Sequence, residues 1–132
     1  TVRVGSEIGQ GSALKLACNA WVGLITAGTA QSLALAQGLG VDPQLFLDAI
    51  KGGGADSPYA HLKGGTMLSG EMPPSFALDG IRKDFGLMHE AAQGAGVNDD
   101  LLTAVLGRFD VASAAGHGDE DLAAVYRSWD QA

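Results

Sequence analysis

Cysteine, histidine and charged residues are all scarce in this chain of 132 residues. Their scarcity argues against a disulfide, a metal site and a nucleic-acid-binding surface. A single cysteine, Cys18, rules out an internal disulfide and favours a reducing compartment. Charged residues make up 17% of the chain, with a formal net charge of -7, and the eight basic residues are scattered. A nucleic-acid-binding surface, which needs clustered lysine and arginine, is therefore not expected. His61, His89 and His117 are spread across the chain, so we expect no metal site at them.

The longest uncharged stretch runs from residue 16 to residue 41, between Lys15 and Asp42. Polar residues such as Asn19 and Gln31 interrupt it, which argues against a membrane span. The first residue is Thr1 rather than methionine, and no basic, apolar leader is recognisable. We therefore expect a cytoplasmic protein that is a fragment or a processed product.

Helix start and stop signals recur along the chain and no strand pattern is long enough to found a sheet. We predict an all-α fold of about six helices around one long apolar helix, which Ser12 would cap and which would end near Gly38 or Gly40. Residues 1–11 would form a leading segment and glycine-rich loop, and residues 12–132 a single helical domain. The later helices are predicted to start at Asp42, Ser57, Leu78 or Asp79, Asn98 or Asp99, and Asp119. Residues 64–74 are predicted to be mostly irregular, with room for a second short helix.

Four residues of the long helix recur every four positions: Gly11, Lys15, Asn19 and Gly23. This spacing places them in one row on a single helix face. The glycines leave room beside Lys15 for another backbone or a small molecule. The row is therefore either half of a site or, alternatively, a solvated lysine and a surface amide above a helix-packing notch. Cys18 is interpreted as a small core residue.

Two other patterns have simpler explanations. Gly9 and Gly11 before a helix resemble a phosphate-binding turn, but a dinucleotide fingerprint needs a third glycine where this chain has Leu14. Asp79 and Lys83 are spaced for a surface ion pair on a helix.

The run from Gly9 to Asn19, Gly-x-Gly-x-x-x-Lys-x-x-x-Asn, resembles the start of the C-terminal domain of the β-hydroxyacid dehydrogenases. This is the family of 3-hydroxyisobutyrate dehydrogenase and tartronate semialdehyde reductase. Further matches follow in the family's order: Pro74 with Phe76, Lys83 with Asp84, Gly94 with Gly96, and Gly118, Asp119 and Asp121 near the end. The resemblance covers nearly the whole chain.

The resemblance implies a helical substrate and dimerisation domain that packs against a Rossmann domain, which these 132 residues do not contain. It implies NAD or NADP as cofactor, a small hydroxy acid or semialdehyde as substrate, and a homodimer or homotetramer. The reaction would be reversible hydride transfer. The implied site residues are Lys15 as the catalytic acid/base, Asn19, Gly11 and Phe76 for substrate binding, and Lys83 and Asp84 for cofactor binding.

Some positions depart from the family pattern. Cys18 replaces an asparagine, or the histidine of the related 6-phosphogluconate dehydrogenases, which disfavours a sugar-phosphate substrate. Two alternatives stay open: a non-catalytic helical oligomerisation module, and an imine-reductase-like relative, although such relatives usually lack a lysine at the position of Lys15. The particular hydroxy acid and the choice between NAD and NADP depend on residues upstream.

Overall fold

A computed structural model describes residues 9–130, so residues 1–8 of the predicted leading segment lie outside the described residues. The helices are α1 (Gln10–Gly38), α2 (Gln44–Ile50), α3 (Pro58–Ser69), α4 (Leu78–Ala95) and α5 (Asp100–Ala112), followed by a π-helical turn (Ser113–His117) and a 3₁₀ helix (Leu122–Asp130). Within this range no strand forms, and a single antiparallel bridge joins Ala77 to Asp121. The prediction of an all-α fold around one long helix is confirmed.

The long helix α1 begins three residues earlier than predicted. Gly9, with φ of +96°, directly precedes it, and Ser12 lies inside its first turn, so the assignment of Ser12 as the cap was wrong. A positive φ is a conformation that glycine adopts without a steric penalty, which explains why the helix starts there. The predicted end at Gly38 is confirmed, and Gly40, with φ of +83°, turns the chain toward α2.

Helix α3 contradicts the prediction of irregular structure after residue 64. It starts as predicted at Ser57, whose Oγ accepts a hydrogen bond from the Ala60 amide (3.3 Å), but it continues to Ser69. A Cβ atom on Gly64 would lie 2.9 Å from Leu47 Cδ2, so this glycine allows α2 and α3 to pack closely. Close packing therefore compensates for the low helix propensity of glycine.

The last helix also differs from the prediction. It begins at Leu122 and is a 3₁₀ helix, and Asp121 rather than Asp119 receives a backbone hydrogen bond, from the Ala123 amide (3.0 Å). Gly116, with φ of +99°, lies in the π-helical turn before it. This turn redirects the chain so that the apolar side of the 3₁₀ helix packs against α1 and α5.

The core lies between α1, α4, α5 and the 3₁₀ helix. Phe85 and Phe109 meet edge to face in it, with ring centroids 5.4 Å apart. A Cβ atom on Gly23 would lie 2.3 Å from Phe85 Cε1, so the predicted role of Gly23 as a close-packing position is confirmed. Gly28, in the same helix, is by contrast exposed, with no atom within 4 Å of its Cβ position. Cys18 is exposed rather than buried, because it lies off the α1 face that meets the core.

Candidate active site

A cleft of about 530 Å³ lies between the first half of α1 and the middle of α4. The α1 wall uses residues three or four apart, and the α4 wall follows the same helical spacing, so each helix contributes one face. The cleft is lined by Ser12, Lys15, Leu16, Asn19, Asp84, Leu87, Glu90 and Ala91. Three residues predicted for the site, Lys15, Asn19 and Asp84, are thus brought together.

Asn19 and Asp84 hold the two helices together across this cleft. Asn19 Nδ2 donates a hydrogen bond to Asp84 Oδ2 (3.0 Å), and both side chains are half-buried. One turn further along α1, Gly23 admits the Phe85 ring, which brings the helices close enough for this bond. With the amide nitrogen engaged by a carboxylate, the amide oxygen of Asn19 remains its acceptor for another partner.

Lys15 lies one turn before Asn19 and is exposed at the same cleft. The cleft thus combines one ammonium group, two carboxylates from Asp84 and Glu90, and an apolar wall. Leu16, Leu87 and Ala91 form that wall. A cation and an amide beside apolar surface can hold a small polar molecule while leaving its carbon skeleton against hydrocarbon.

The other predicted site residues do not line this cleft. Lys83 lines a separate groove of about 240 Å³ between α4 and α5 with Arg82 and Asp110, not the cleft of Lys15. Phe76 precedes α4, with its ring against Gly80, and Gly11 lies in the first turn of α1 with no atom within 4 Å of its Cβ position. The structure therefore brings together half of the residues predicted for the site.

Asp79 does not support the predicted surface pair with Lys83. Its carboxylate lies 3.8 Å from Arg82 and accepts a hydrogen bond from Ser113 Oγ (2.7 Å). Arg82 in turn donates to Asp110 (2.6 Å), which raises the pKa of the Arg82 guanidinium. Helical spacing allowed either cation, and the position of α5 selects Arg82.

Sequence reasoning missed a buried ion pair between Lys63 of α3 and Asp121. Lys63 Nζ lies 2.9 Å from Asp121 Oδ2, and the two residues are 4% and 1% exposed. Burial alone would raise the pKa of Asp121, but hydrogen bonds from Lys63 and from backbone amides outweigh it and hold this pKa below its usual value. One signal was available, since Lys63 shares a helix face with the apolar residues Ala60 and Met67.

The histidines each contact a single carboxylate. His61 Nε2 lies 2.6 Å from Asp56 Oδ1, His117 Nδ1 lies 2.8 Å from Glu120 Oε2, and His89 pairs with Asp99. Among residues 9–130, no group of three or more potential ligands is placed to hold a metal ion. Over the same range, none of the helices combines the length and apolar character needed to cross a bilayer.

Comparison with known proteins identifies the class. Residues 9–129 match the family described as "NAD-binding of NADP-dependent 3-hydroxyisobutyrate dehydrogenase". Glyoxylate/succinic semialdehyde reductase 2 of Arabidopsis thaliana is 31% identical over 119 residues, which cover 90% of this chain and 33% of that protein. L-threonate dehydrogenase of Cupriavidus necator is 32% identical over 125 residues, or 95% of this chain and 42% of that protein.

Comparison of the fold with solved structures points to the same family. The crystal structure of 3-hydroxyisobutyrate dehydrogenase from Salmonella typhimurium superimposes with a TM-score of 0.88 at 28% identity, covering 95% of this chain and 44% of that one. The chain belongs to the 3-hydroxyisobutyrate dehydrogenase family of NAD-binding helical domains, which confirms the resemblance inferred from its motifs. The family description also agrees with the expected nicotinamide cofactor. The chain spans between a third and a half of the lengths of these relatives.

Proposed function

We propose that this chain is the helical substrate domain of an NAD(P)-dependent hydroxyacid dehydrogenase. In this proposal residues 12–132 form the domain, residues 1–11 lead into it, and a separate Rossmann domain binds most of the dinucleotide. The observation that carries the proposal is the cleft in which Lys15, Asn19 and Asp84 meet. The names of the two curated relatives, a semialdehyde reductase and a hydroxyacid dehydrogenase, support the same reaction class.

The described residues fit one end of a nicotinamide dinucleotide. The cleft offers an apolar wall, at Leu16 and Leu87, beside a cation and an amide, which suits a flat ring next to a small polar substrate. A Rossmann domain, by contrast, needs a parallel sheet, and residues 9–130 contain no strand. When bound, the cofactor would donate or accept the hydride. The cofactor contacts that the family resemblance implies are Lys83 and Asp84.

Lys15 would transfer the proton. In reduction its ammonium group protonates the alkoxide that develops on the substrate carbonyl oxygen, and in oxidation the neutral amine takes up the hydroxyl proton. The exposure of Lys15 at the cleft leaves its Nζ accessible to a substrate.

Asn19 would orient the substrate oxygen or the Lys15 amine without adding charge. Because Asp84 accepts a hydrogen bond from its Nδ2, the amide is held in one orientation. Gly11 would leave space for the substrate at the head of α1, and Phe76 would bound the substrate from the loop before α4.

We also propose that the domain forms a homodimer or homotetramer through α1. Trp21, on α1, is 63% exposed and lies in an apolar groove of about 440 Å³ with Leu24, Leu101 and Trp129. Large exposed aromatic residues in an apolar patch are typical of protein interfaces. Sedimentation of the chain and of a Trp21→Glu variant tests this: the wild type should associate and the variant should be monomeric.

The decisive experiment compares wild type and Lys15→Ala in a protein that contains this chain and a dinucleotide-binding domain. Oxidation of NADH and NADPH is followed with a panel of small carboxylate semialdehydes. We expect the wild type to turn over at least one of them and Lys15→Ala to lose about 10²–10⁴-fold in kcat, because general acid catalysis contributes about that much. Lys51→Ala, another exposed lysine outside the cleft, is the matched control.

Other results would redirect the proposal. Turnover of cyclic imines instead of semialdehydes would favour the imine-reductase alternative. Cofactor binding without turnover of either class would favour a helical oligomerisation module. The 132-residue chain by itself should be inactive, and turnover by it alone would contradict the assignment of hydride chemistry to a second domain.

A further inference from the structure

The segment between α3 and α4 is held by one buried carboxylate. Asp121 is 1% exposed and lies directly before the 3₁₀ helix. Its Oδ1 accepts hydrogen bonds from Ser75 N (3.0 Å), Ser75 Oγ (3.1 Å) and Phe76 N (3.3 Å), and its Oδ2 from Lys63 Nζ (2.9 Å) and Ala123 N (3.0 Å). We call these five residues, Lys63, Ser75, Phe76, Asp121 and Ala123, the Asp121 clamp. Every acceptor site of the carboxylate is used.

The clamp fixes the backbone of Phe76 on both sides. The Phe76 amide donates to Asp121, and the Phe76 carbonyl accepts a hydrogen bond from the Leu122 amide (2.8 Å). The Phe76 ring lies against Gly80, where a Cβ atom would be 2.9 Å from Phe76 Cε1. Backbone and ring are therefore both constrained.

This position places Phe76 next to the candidate active site. Gly80 precedes Asp84 by four residues on α4, so the two share a helix face and lie about 6 Å apart along the axis. Asp84 lines the cleft and bonds to Asn19. The Phe76 ring thus lies one turn beyond the α4 wall of the cleft, at the end from which α4 begins.

The buried charges of the clamp indicate that it positions the loop before α4 and does more than stabilise the fold. Burying an ammonium and a carboxylate costs desolvation energy, and apolar residues of similar volume often stabilise a core as well or better. Lys63 also donates a hydrogen bond to Ser75 Oγ (3.2 Å), so both charges act on the same loop residue. An apolar pair could fill this space but could not hold two backbone amides of the loop.

We propose that Lys63 and Asp121 are positioning residues that set substrate affinity by holding Phe76 at the edge of the cleft. This inference rests on the proposed dehydrogenase function and on the place of Phe76 in it. Neither Lys63 nor Asp121 would touch the substrate, and their effect would pass through the loop.

The test uses the two-domain enzyme and a pair of uncharged double variants. Lys63→Met with Asp121→Leu removes the charges and the acceptor oxygens, whereas Lys63→Met with Asp121→Asn removes the charges but keeps one acceptor for the loop amides. We expect the first to raise KM for the semialdehyde about tenfold with kcat changed less than about twofold, the pattern of lost ground-state binding. The asparagine variant should restore KM to within about threefold of wild type, because it keeps the hydrogen-bond acceptor.

A double-mutant cycle with Phe76→Ala shows whether the effect passes through Phe76. In that background the leucine variant should change KM by less than about twofold, since coupled residues are not additive. Asp56 is the matched control: its carboxylate accepts hydrogen bonds from Gly52 N and Ser57 N (both 2.8 Å) in a different loop. Asp56→Leu should leave KM unchanged.

The proposal is overturned if the folded leucine variant has the wild-type KM, or if its full effect persists in the Phe76→Ala background. If that variant does not fold, Ser75→Ala decides, because it removes only the hydroxyl that accepts a hydrogen bond from Lys63 and donates one to Asp121. It should raise KM about threefold, and an unchanged KM would overturn the proposal. If Lys15→Ala is inactive but the clamp variants have the wild-type KM, the proposed role of the clamp is wrong and the proposed dehydrogenase function stands. A wild type without semialdehyde turnover overturns both proposals.

Discussion

The same residue types form two opposite environments in this domain. In the Asp121 clamp, Lys63 and Asp121 are buried 2.9 Å apart, and the carboxylate has all its acceptor positions filled. In the cleft, Lys15 is exposed, and Asp84, half-buried, receives a hydrogen bond from the neutral amide of Asn19. A lysine held by a buried carboxylate fixes geometry, whereas a lysine at an open cleft can exchange a proton with a ligand.

The two environments also differ in how they join the chain. The clamp links α3, the loop before α4 and the start of the 3₁₀ helix, and Lys63 and Asp121 are 58 positions apart in the sequence. The cleft contact links only α1 and α4, through a side-chain bond. Disturbing the clamp should therefore affect folding and loop position, and disturbing the cleft should affect chemistry with little change in stability.

The largest difference between the two regions is expected when one carboxylate is neutralised. Asp121→Asn should lower the free energy of unfolding by about 3–5 kcal/mol, because it leaves the Lys63 charge buried without its partner. Asp84→Asn, its control in the cleft, should stay within about 0.5 kcal/mol of wild type, because a half-exposed site tolerates the change. Urea denaturation of the 132-residue chain measures both. Equal losses would remove the contrast between the regions.

A second prediction concerns the helix contact beneath the cleft. Gly23→Ala should destabilise the chain by about 1–3 kcal/mol, because the new methyl group overlaps the Phe85 ring. Gly28→Ala, in the same helix but in open space, should stabilise it by about 1 kcal/mol. Thermal unfolding followed by circular dichroism compares the two. A stabilising Gly23→Ala would show that Phe85 does not set the spacing between α1 and α4.

In the cleft, the hydrogen bond between Asn19 and Asp84 is expected to affect the reaction rate. Asp84→Ala should lower kcat about tenfold, or about 1.4 kcal/mol, since it frees the amide of Asn19 to rotate. Asp84→Asn can still accept the bond from Asn19 and should keep most of the activity. Steady-state rates of the two-domain enzyme separate these outcomes. An Asp84→Ala enzyme with wild-type kcat would remove the positioning role from this residue.

The smallest expected effect is the loss of folding stability at low pH. Because the pKa of Asp121 is lower in the folded state, its contribution to stability is present above the unfolded pKa of about 4 and is lost as the pH falls through the folded value. Acidification below about pH 4 should therefore weaken wild type more than the Lys63→Met, Asp121→Asn variant. Denaturation at several pH values measures the difference. Parallel pH profiles would show that Asp121 does not contribute.

The carboxyl group of Asp56 does not affect this comparison of wild type with the double variant. The pKa of Asp56 is also lowered, chiefly by the hydrogen bond from the Gly52 amide, but Asp56 is present in both proteins. Its titration therefore cancels in the difference between them.

Local signals in the sequence predicted most of the fold. The start of α2 after Asp42, whose carboxylate accepts a hydrogen bond from the Gln44 amide (3.0 Å), depends on residues two positions apart. The end of α4 likewise depends on a single neighbouring residue, Gly96, which has a φ of +70°. The four-residue row also predicted correctly that Lys15 and Asn19 share a face. Caps and helical periodicity act within one or two turns, so a single sequence is enough to show them.

The remaining features were decided by packing between distant parts of the chain. Gly23 and Gly28 look alike in sequence, yet only Gly23 meets an aromatic ring. Lys63 is one of several isolated lysines until α3 carries it to Asp121, and Asp84 could not be paired with Asn19 without the spacing of α1 and α4.

Helix signals and motifs along the sequence were enough to predict the helical class, most helix boundaries, the family and the row that holds Lys15. The packing of the helices was needed to show which charges are buried, which glycines are contact points and which carboxylate faces which cation. The two groups of features differ in the distance along the chain over which their causes act. Helix propensity and capping depend on neighbours a few residues away, whereas burial and ion pairing depend on which helices pack together.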